Sequence, residues 1–351
     1  FSKLCYETTD KYESNFQDDV WKLDNSYSIN WNNVGNVSGI VLQGFKLTIA
    51  RMAEEVSSKH TQNCWHYFKQ YLLDPKLYVG GNISSELILK YKSTLDSENE
   101  YKLGTIRSLL RNWLEWKHLG VNSDISDTLD RLVLKGNVKG KAVLHQCPHT
   151  GAYTLTEQQS LLVWAGNAFQ EKILSLEEFA WFYLIYATAR RPSQIRALRV
   201  CDVTHRVVNN SNVYSINIPR AKQRGGKFRS ECRSLTITED LYLIVINQIN
   251  EVKSFVSSKC PTLDETDIEQ LPIFLNRDSL REMIISDYKS VITNTPDYLH
   301  LSAASVHCMD RQISRKCDAI SERTGDYIHF TPVRCRRNRA TNLVRNGITG
   351  V

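Results

Sequence analysis

The residues best suited to chemistry in this sequence are arginines, and they gather in three places. The first is YATARRPSQIRALRVCDV, residues 186–203. An apolar helical stretch runs into Arg190-Arg191-Pro192-Ser193. Proline suits the first position of a new helix, so Arg191 is expected at the junction of two helices, where free N–H groups favour anions. The competing reading is an ordinary surface arginine at a turn. The second place is IPRAKQRGGKFRSECRS, residues 218–234, which carries Arg220, Lys222, Arg224, Lys227, Arg229 and Arg233 against one acid, Glu231. Like charges in a hairpin repel unless something neutralises them. A flexible basic turn suits contact with phosphates; the alternative is a solvated turn.

The third place is FTPVRCRRNRATNLVRNG, residues 330–347. Thr331 reads as an N-cap, Pro332 as the first helical residue and Gly347 as the C-terminal stop. The helix between them holds five arginines and no acid. At helical periodicity Val333, Arg336, Ala340, Leu343 and Gly347 share one stripe, which is expected to pack inward. Arg336 interrupts that face, and a charge there needs a partner. The partner is either a distant acid or a bound anion. Arg334, Arg337 and Arg345 are expected to point elsewhere.

Other chemistries find less support. His145, Cys147 and His149 alternate in HQCPH, but a fourth zinc ligand at suitable spacing is missing, so no metal site is assigned. Cys64 and His66 sit in an apolar helical stretch and read as core. There is no P-loop, Rossmann fingerprint, HExxH or GxSxG, and no cofactor is expected.

The elements that must position these residues follow from periodicity. The chain has 351 residues, enough for two domains. Residues 1–40 are polar and irregular and read as an N-terminal arm, either a short hairpin or an extended segment. Four helical patterns follow, over 44–59, 60–74, 84–97 and 98–120, and make a helical domain spanning 41–135. Ser84 or Ser85, Thr61 and Gly120 are its expected caps and stops. Residues 136–153, rich in Gly and Lys and punctuated by Pro148, read as a linker. The second domain, 154–351, resumes helical, with Ser175 and Glu178 as a capping box. VYSINIP and CRSLTIT then alternate as two strands of a hairpin around the basic turn. The fold class is therefore mainly α with a small antiparallel β-sheet.

Composition sets outer limits. The net charge of +6 is a mild indication of a polyanionic partner. Nine cysteines, an odd number with no CxxC pair, read as reduced thiols in a cytoplasmic protein. No stretch is apolar enough for a membrane span, and the opening FSKLCYETT is no signal peptide. It lacks an initiator Met, and the expectation is that the sequence is trimmed there.

In combination, TARRPSQIRALRVCDV, Lys222 in the hairpin, LPIFLN at 271–276 and HFTPVRCRRNRATNLVRNG resemble the tyrosine recombinase, or phage integrase, family. Thr188, Arg191, Ser193, Leu198 and Asp202 match its T-G-x-R-x-S-E-L pattern and the acid after it. Thr331, Pro332, Arg336, Thr341 and Gly347 match its T-P-H-x-L-R helix. The motifs agree over roughly 155–351, and the helical unit before them resembles the family's core-binding domain in architecture. The resemblance implies a clamp on double-stranded DNA, a tetramer of this chain on that DNA, and integrase chemistry without metal or cofactor. A tyrosine would attack the scissile phosphate to form a 3′-phosphotyrosyl link. It casts Arg191, Lys222 and Arg336 as catalytic, with Arg220, Arg224, Lys227, Arg229, Arg334 and Arg337 as DNA contacts. The departures are Val333 for the family's histidine, Gln194 for its acid and Ala189 for its glycine. The chain stops at Val351, before the family's tyrosine, and the expectation is that the protein continues. The alternative is a non-catalytic DNA-binding relative, a helper subunit or decayed integrase. A type IB topoisomerase shares the chemistry but carries longer surrounding domains.

Overall fold

The computed structural model describes residues 5–7, 12–35, 37–135, 140–221, 228–261, 263–283, 288, 291, 293 and 295–345. The chain divides into two compact units, Phe1–Lys139 and Gly140–Val351. Each has its own hydrophobic core. The described residues are mainly helical, with small antiparallel sheets.

The first unit opens with two ribbons. β1 (Cys5–Glu7) pairs with β2 (Glu13–Asn15), and β3 (Val20–Lys22) pairs with β4 (Ser28–Asn30). The expected arm is therefore hairpins, and its second half is core. Trp21, Leu23, Ile29 and Trp31 are buried together with Phe45. Helices α1 (Gly39–Glu55), α2 (Ser58–Tyr67), α3 (Ser85–Ser93), α4 (Glu100–Glu115) and α5 (Ile125–Arg131) complete the unit. Leu103, Ile106, Leu110 and Trp113 line the buried stripe of α4 as their spacing predicts. Ser84 caps α3, but α2 starts on Ser57, ahead of Thr61. Gly44 marks a close approach: a Cβ there would meet the Leu119 carbonyl and the Trp113 ring.

The second unit is built around α8 (Leu176–Thr188), which is buried on nearly every side. Trp181 and Phe182 are fully buried, each stabilising the core by roughly 1.5–3 kcal/mol. Around α8 lie α6 (Lys141–Leu144), α7 (Leu155–Gln170), α9 (Pro192–Ile195), α10 (Glu239–Lys259), α11 (Glu265–Glu269), α12 (Arg277–Glu282), α13 (Ala303–Lys316) and α14 (Pro332–Arg345). The sheet is a meander, β5 (Val203–Val208), β6 (Ser211–Pro219) and β7 (Cys232–Ile237), with β6 central. The hairpin read from the sequence is β6–β7; β5 is an added edge strand. Asn209 and Asn210 link β5 to β6 with φ of +50° and +59°, the geometry of a tight hairpin turn.

The expected linker at 136–153 also needs correction. Its part from Gly140 onward belongs to the second unit. Tyr153 is buried there, and its hydroxyl donates to the His329 carbonyl at 3.1 Å. The backbone carbonyls of Gln146, Pro148, Gly151 and Ala152 accept from Arg323 or Arg334. This segment is a collar around the start of α14.

Candidate phosphate-binding site

Arg191 is fixed by the way α8 stops. Ala189 adopts the left-handed conformation, φ 52° and ψ 29°, and turns the chain out of the helix. The Thr188 hydroxyl accepts from the Arg190 N–H at 3.3 Å. Arg191 is the N-cap of α9, and Pro192 is its first residue, as the sequence predicts. The N3 residue, Gln194, then makes two bonds. Its amide oxygen accepts from the Arg191 N–H at 3.2 Å, and its amide nitrogen donates to the Pro219 carbonyl at 2.7 Å. An amide does both jobs; a carboxylate lacks the donor. Gln194 thereby ties Arg191 to the end of β6, where the basic turn begins. The base of that turn is closed by Arg220 N–H to Glu231 C=O at 2.8 Å. With only four residues, α9 contributes little dipole, so affinity for an anion rests on the guanidinium itself.

Arg336 is carried by α14, which Thr331 caps through the Arg334 N–H at 3.3 Å. The helix is rotated from the expected phase. Arg334, Cys335 and Asn338 face inward, whereas Val333 is 50% exposed and Ala340 is exposed. Arg336 is half-buried at the edge of this packed face. It lines a groove of about 520 Å³ with Val143, Val333, Arg337, Ala340 and Thr341. Burial first, and the Arg191 charge second, lower the pKa of Arg336. The two arginines chosen from sequence are thus within electrostatic reach of each other. Among the described residues, neither guanidinium has a hydrogen-bond or ion-pair partner. Two adjacent cations without a carboxylate are an arrangement that an oxyanion relieves.

Two expected DNA contacts are corrected. Arg334 is 3% exposed. Its guanidinium donates to the carbonyls of Gly151 (3.1 Å), His329 (3.2 Å) and Pro148 (2.8 Å) and to Glu157 (3.4 Å). It also lies 4.0 Å from the Tyr153 ring centroid. Carbonyl acceptors from the collar satisfy this charge, which is why an arginine occupies the inward face. Arg229 is likewise a structural residue. It bonds both Asp202 oxygens, at 2.7 and 2.9 Å, and the Ala197 carbonyl at 2.6 Å. With Phe228 edge-on to the buried His300 ring, it pins the outgoing side of the basic turn. His300 Nδ1 lies 2.7 Å from the Arg196 carbonyl, and burial pushes its pKa well below the usual histidine value.

The remaining positions vary. Arg220 is exposed and pairs with Glu231 at 2.8 Å. Arg337 donates to the Thr150 carbonyl. Lys222, Arg224 and Lys227 lie outside the described residues. Sequence reading passed over Arg190, whose Nε is buried without a hydrogen-bond partner. The signal was its position beside Arg191, at the same helix junction. Among the described residues no helix is long and apolar enough to cross a membrane. No protein-family model and no curated protein matches this chain.

Proposed function

We propose that this protein binds double-stranded DNA by a backbone phosphate held between Arg191 and Arg336, and that it is a site-specific recombinase of the tyrosine type. The observation that carries the proposal is that these two arginines, distant in sequence, come within electrostatic reach of each other and are free of acidic partners among the described residues. In this reading both guanidinia grip non-bridging oxygens and stabilise the charge of the pentacoordinate state. A tyrosine oxygen bonds to phosphorus as the bond to the 5′-oxygen breaks, and Lys222 gives that oxygen its proton. A 5′-hydroxyl of a partner strand reverses the step, so one phosphodiester replaces another and no cofactor is consumed. Action as a tetramer on DNA belongs to the same proposal.

The test is a nicked duplex carrying an end of the protein's own genetic element, incubated with the full-length protein. A covalent adduct that survives detergent is expected, and Arg336→Ala should abolish it while DNA binding persists. If the full-length wild type makes no adduct, recombinase chemistry is lost. A second reading, a DNA-binding relative that does not cut, is favoured by Val333. It stands exposed in the same groove as Arg336, where the resembled family has a histidine, and it can neither give nor take a proton. Binding without an adduct would select it.

A further inference from the structure

The junction after α8 holds more positive charge than one phosphate needs. Arg190 precedes Arg191 and is within electrostatic reach of Arg233 on β7 and Arg339 on α14. Burial first, then Arg233 and Arg339, lower its pKa. The geometry agrees. The Arg339 guanidinium reaches the Ala187 carbonyl, one turn before Arg190, at 3.5 Å. Arg233 pairs in register with Ile218, next to Pro219, whose carbonyl is bonded to Gln194. Three elements therefore converge on one spot: the end of α8, the start of β7 and the middle of α14.

None of the three arginines has a carboxylate partner among the described residues. The adjacent stretch 222–227 contains no Asp or Glu. The Arg190 Nε is buried and makes no hydrogen bond, although a buried donor left unmade costs about 1–3 kcal/mol. Ala187 and Arg339 also border a cavity of about 380 Å³. A solvated charge run accounts for exposed Arg233 and Arg339, but not for the buried, unbonded Nε of the half-buried Arg190.

We infer that Arg190, Arg233 and Arg339 form a second anion subsite that holds the phosphate next to the one gripped by Arg191 and Arg336. The inference rests on the DNA-binding reading above. Arg190 and Arg191 are consecutive, so one short junction between α8 and α9 carries a residue of each grip. Phosphates of one strand follow each other about 3.4 Å apart along the duplex axis. Two neighbouring grips fix the direction of the strand as well as its position. Arg190, Arg233 and Arg339 are thus positioning residues, remote from the bonds that change.

The test uses the full chain and a random-sequence 30-base-pair duplex, with affinity measured by fluorescence anisotropy across a series of KCl concentrations. Each phosphate contact adds roughly 0.9 to the slope of log affinity against log salt. The double variant Arg190→Gln/Arg339→Gln is expected to lower that slope by about one, and Arg191→Gln/Arg336→Gln by about one more in combination. Arg281→Gln, an exposed arginine paired with Asp278, is the control and should change nothing. Should Arg190→Gln fail to fold, Arg233→Gln/Arg339→Gln, both at exposed positions, replaces it with the same expected slope. An unchanged slope in the Arg190 or Arg233 pair, with a reduced slope in the Arg191 pair, overturns the second subsite and leaves the first. Absence of salt-dependent binding in the wild type overturns both.

Discussion

At the scale of single residues, Ala189 occupies a backbone position that glycine would hold without strain. Ala189 sits at φ 52° because α8 must stop there and hand the chain to α9. Left-handed geometry costs an L-residue roughly 1–2 kcal/mol, and glycine avoids it. Ala189→Gly should therefore stabilise the protein by about 1 kcal/mol, raising Tm by about 2–4 °C for a unit of this size. Thermal unfolding measures it, and a fall in Tm would mean the turn is not strained. Arg191 was legible in advance because Pro192 fixes where the next helix begins. Arg336 is half-buried, off the inward face on which periodicity placed it. It borders the groove with Val333 and Ala340, whereas the fully inward charge on α14 is Arg334. Periodicity alone favoured the apolar phase, since it does not see carbonyl acceptors supplied by a distant segment.

At the scale of elements, α14 is held in place by a carboxylate on another helix. Glu157 is 0% exposed and serves four partners. It completes the capping box of α7 with Thr154, accepts from Ser321, and pairs with Arg323 at 2.6 Å and Arg334 at 3.4 Å. Burial alone would raise its pKa. Hydrogen bonds from Arg323, Ser321 and the Thr154 N–H override that and hold the carboxyl below the usual value of 4.5. A depressed carboxyl pKa contributes stability above the unfolded-state pKa, and that stability is lost as pH falls below about 4.5 through the folded value. Glu157→Gln leaves the buried Arg334 and the half-buried Arg323 without their counter-charge, a loss of about 3–5 kcal/mol near neutral pH. The variant's deficit should shrink below pH 4.5, where the wild-type carboxyl protonates as well. Denaturant melts at neutral and acid pH check both parts, and an unchanged deficit at low pH would show that packing, not charge, holds α14. The Ser175–Glu178 box was readable from its spacing, and Thr154–Glu157 has the same spacing. What spacing does not disclose is that Glu157 also faces two arginines far along the chain. The β5 strand escaped because its burial pattern is exposed at four of six positions, so no alternation marks it.

At the scale of the whole chain, the two-part organisation was visible in composition, but its boundary was not. Gly, Lys and Pro over 136–153 read as a linker because such residues rarely pack. From Gly140 the segment is structural through its carbonyls, which any residue possesses, so side-chain composition could not reveal it. This makes the boundary testable. Fragments 1–139 and 140–351 each retain a separate core and should unfold cooperatively when expressed alone. A fragment beginning at Thr154 keeps every residue of α7 through α14 but loses the collar. Arg334 then lacks the Pro148 and Gly151 carbonyls, Arg323 lacks those of Gln146 and Ala152, and the Tyr153 ring is gone from under Arg334. Each buried donor left unmade costs about 1–3 kcal/mol, and burial of one aromatic side chain contributes about 1.5–3 kcal/mol more. These losses fall around the first turn of α14, the turn that sets the position of Arg336. The 154–351 fragment should therefore melt well below 140–351 and, under the DNA-binding function proposed above, show a smaller salt slope. Equal melting temperatures for the two fragments would restore 140–153 to the role of a simple tether.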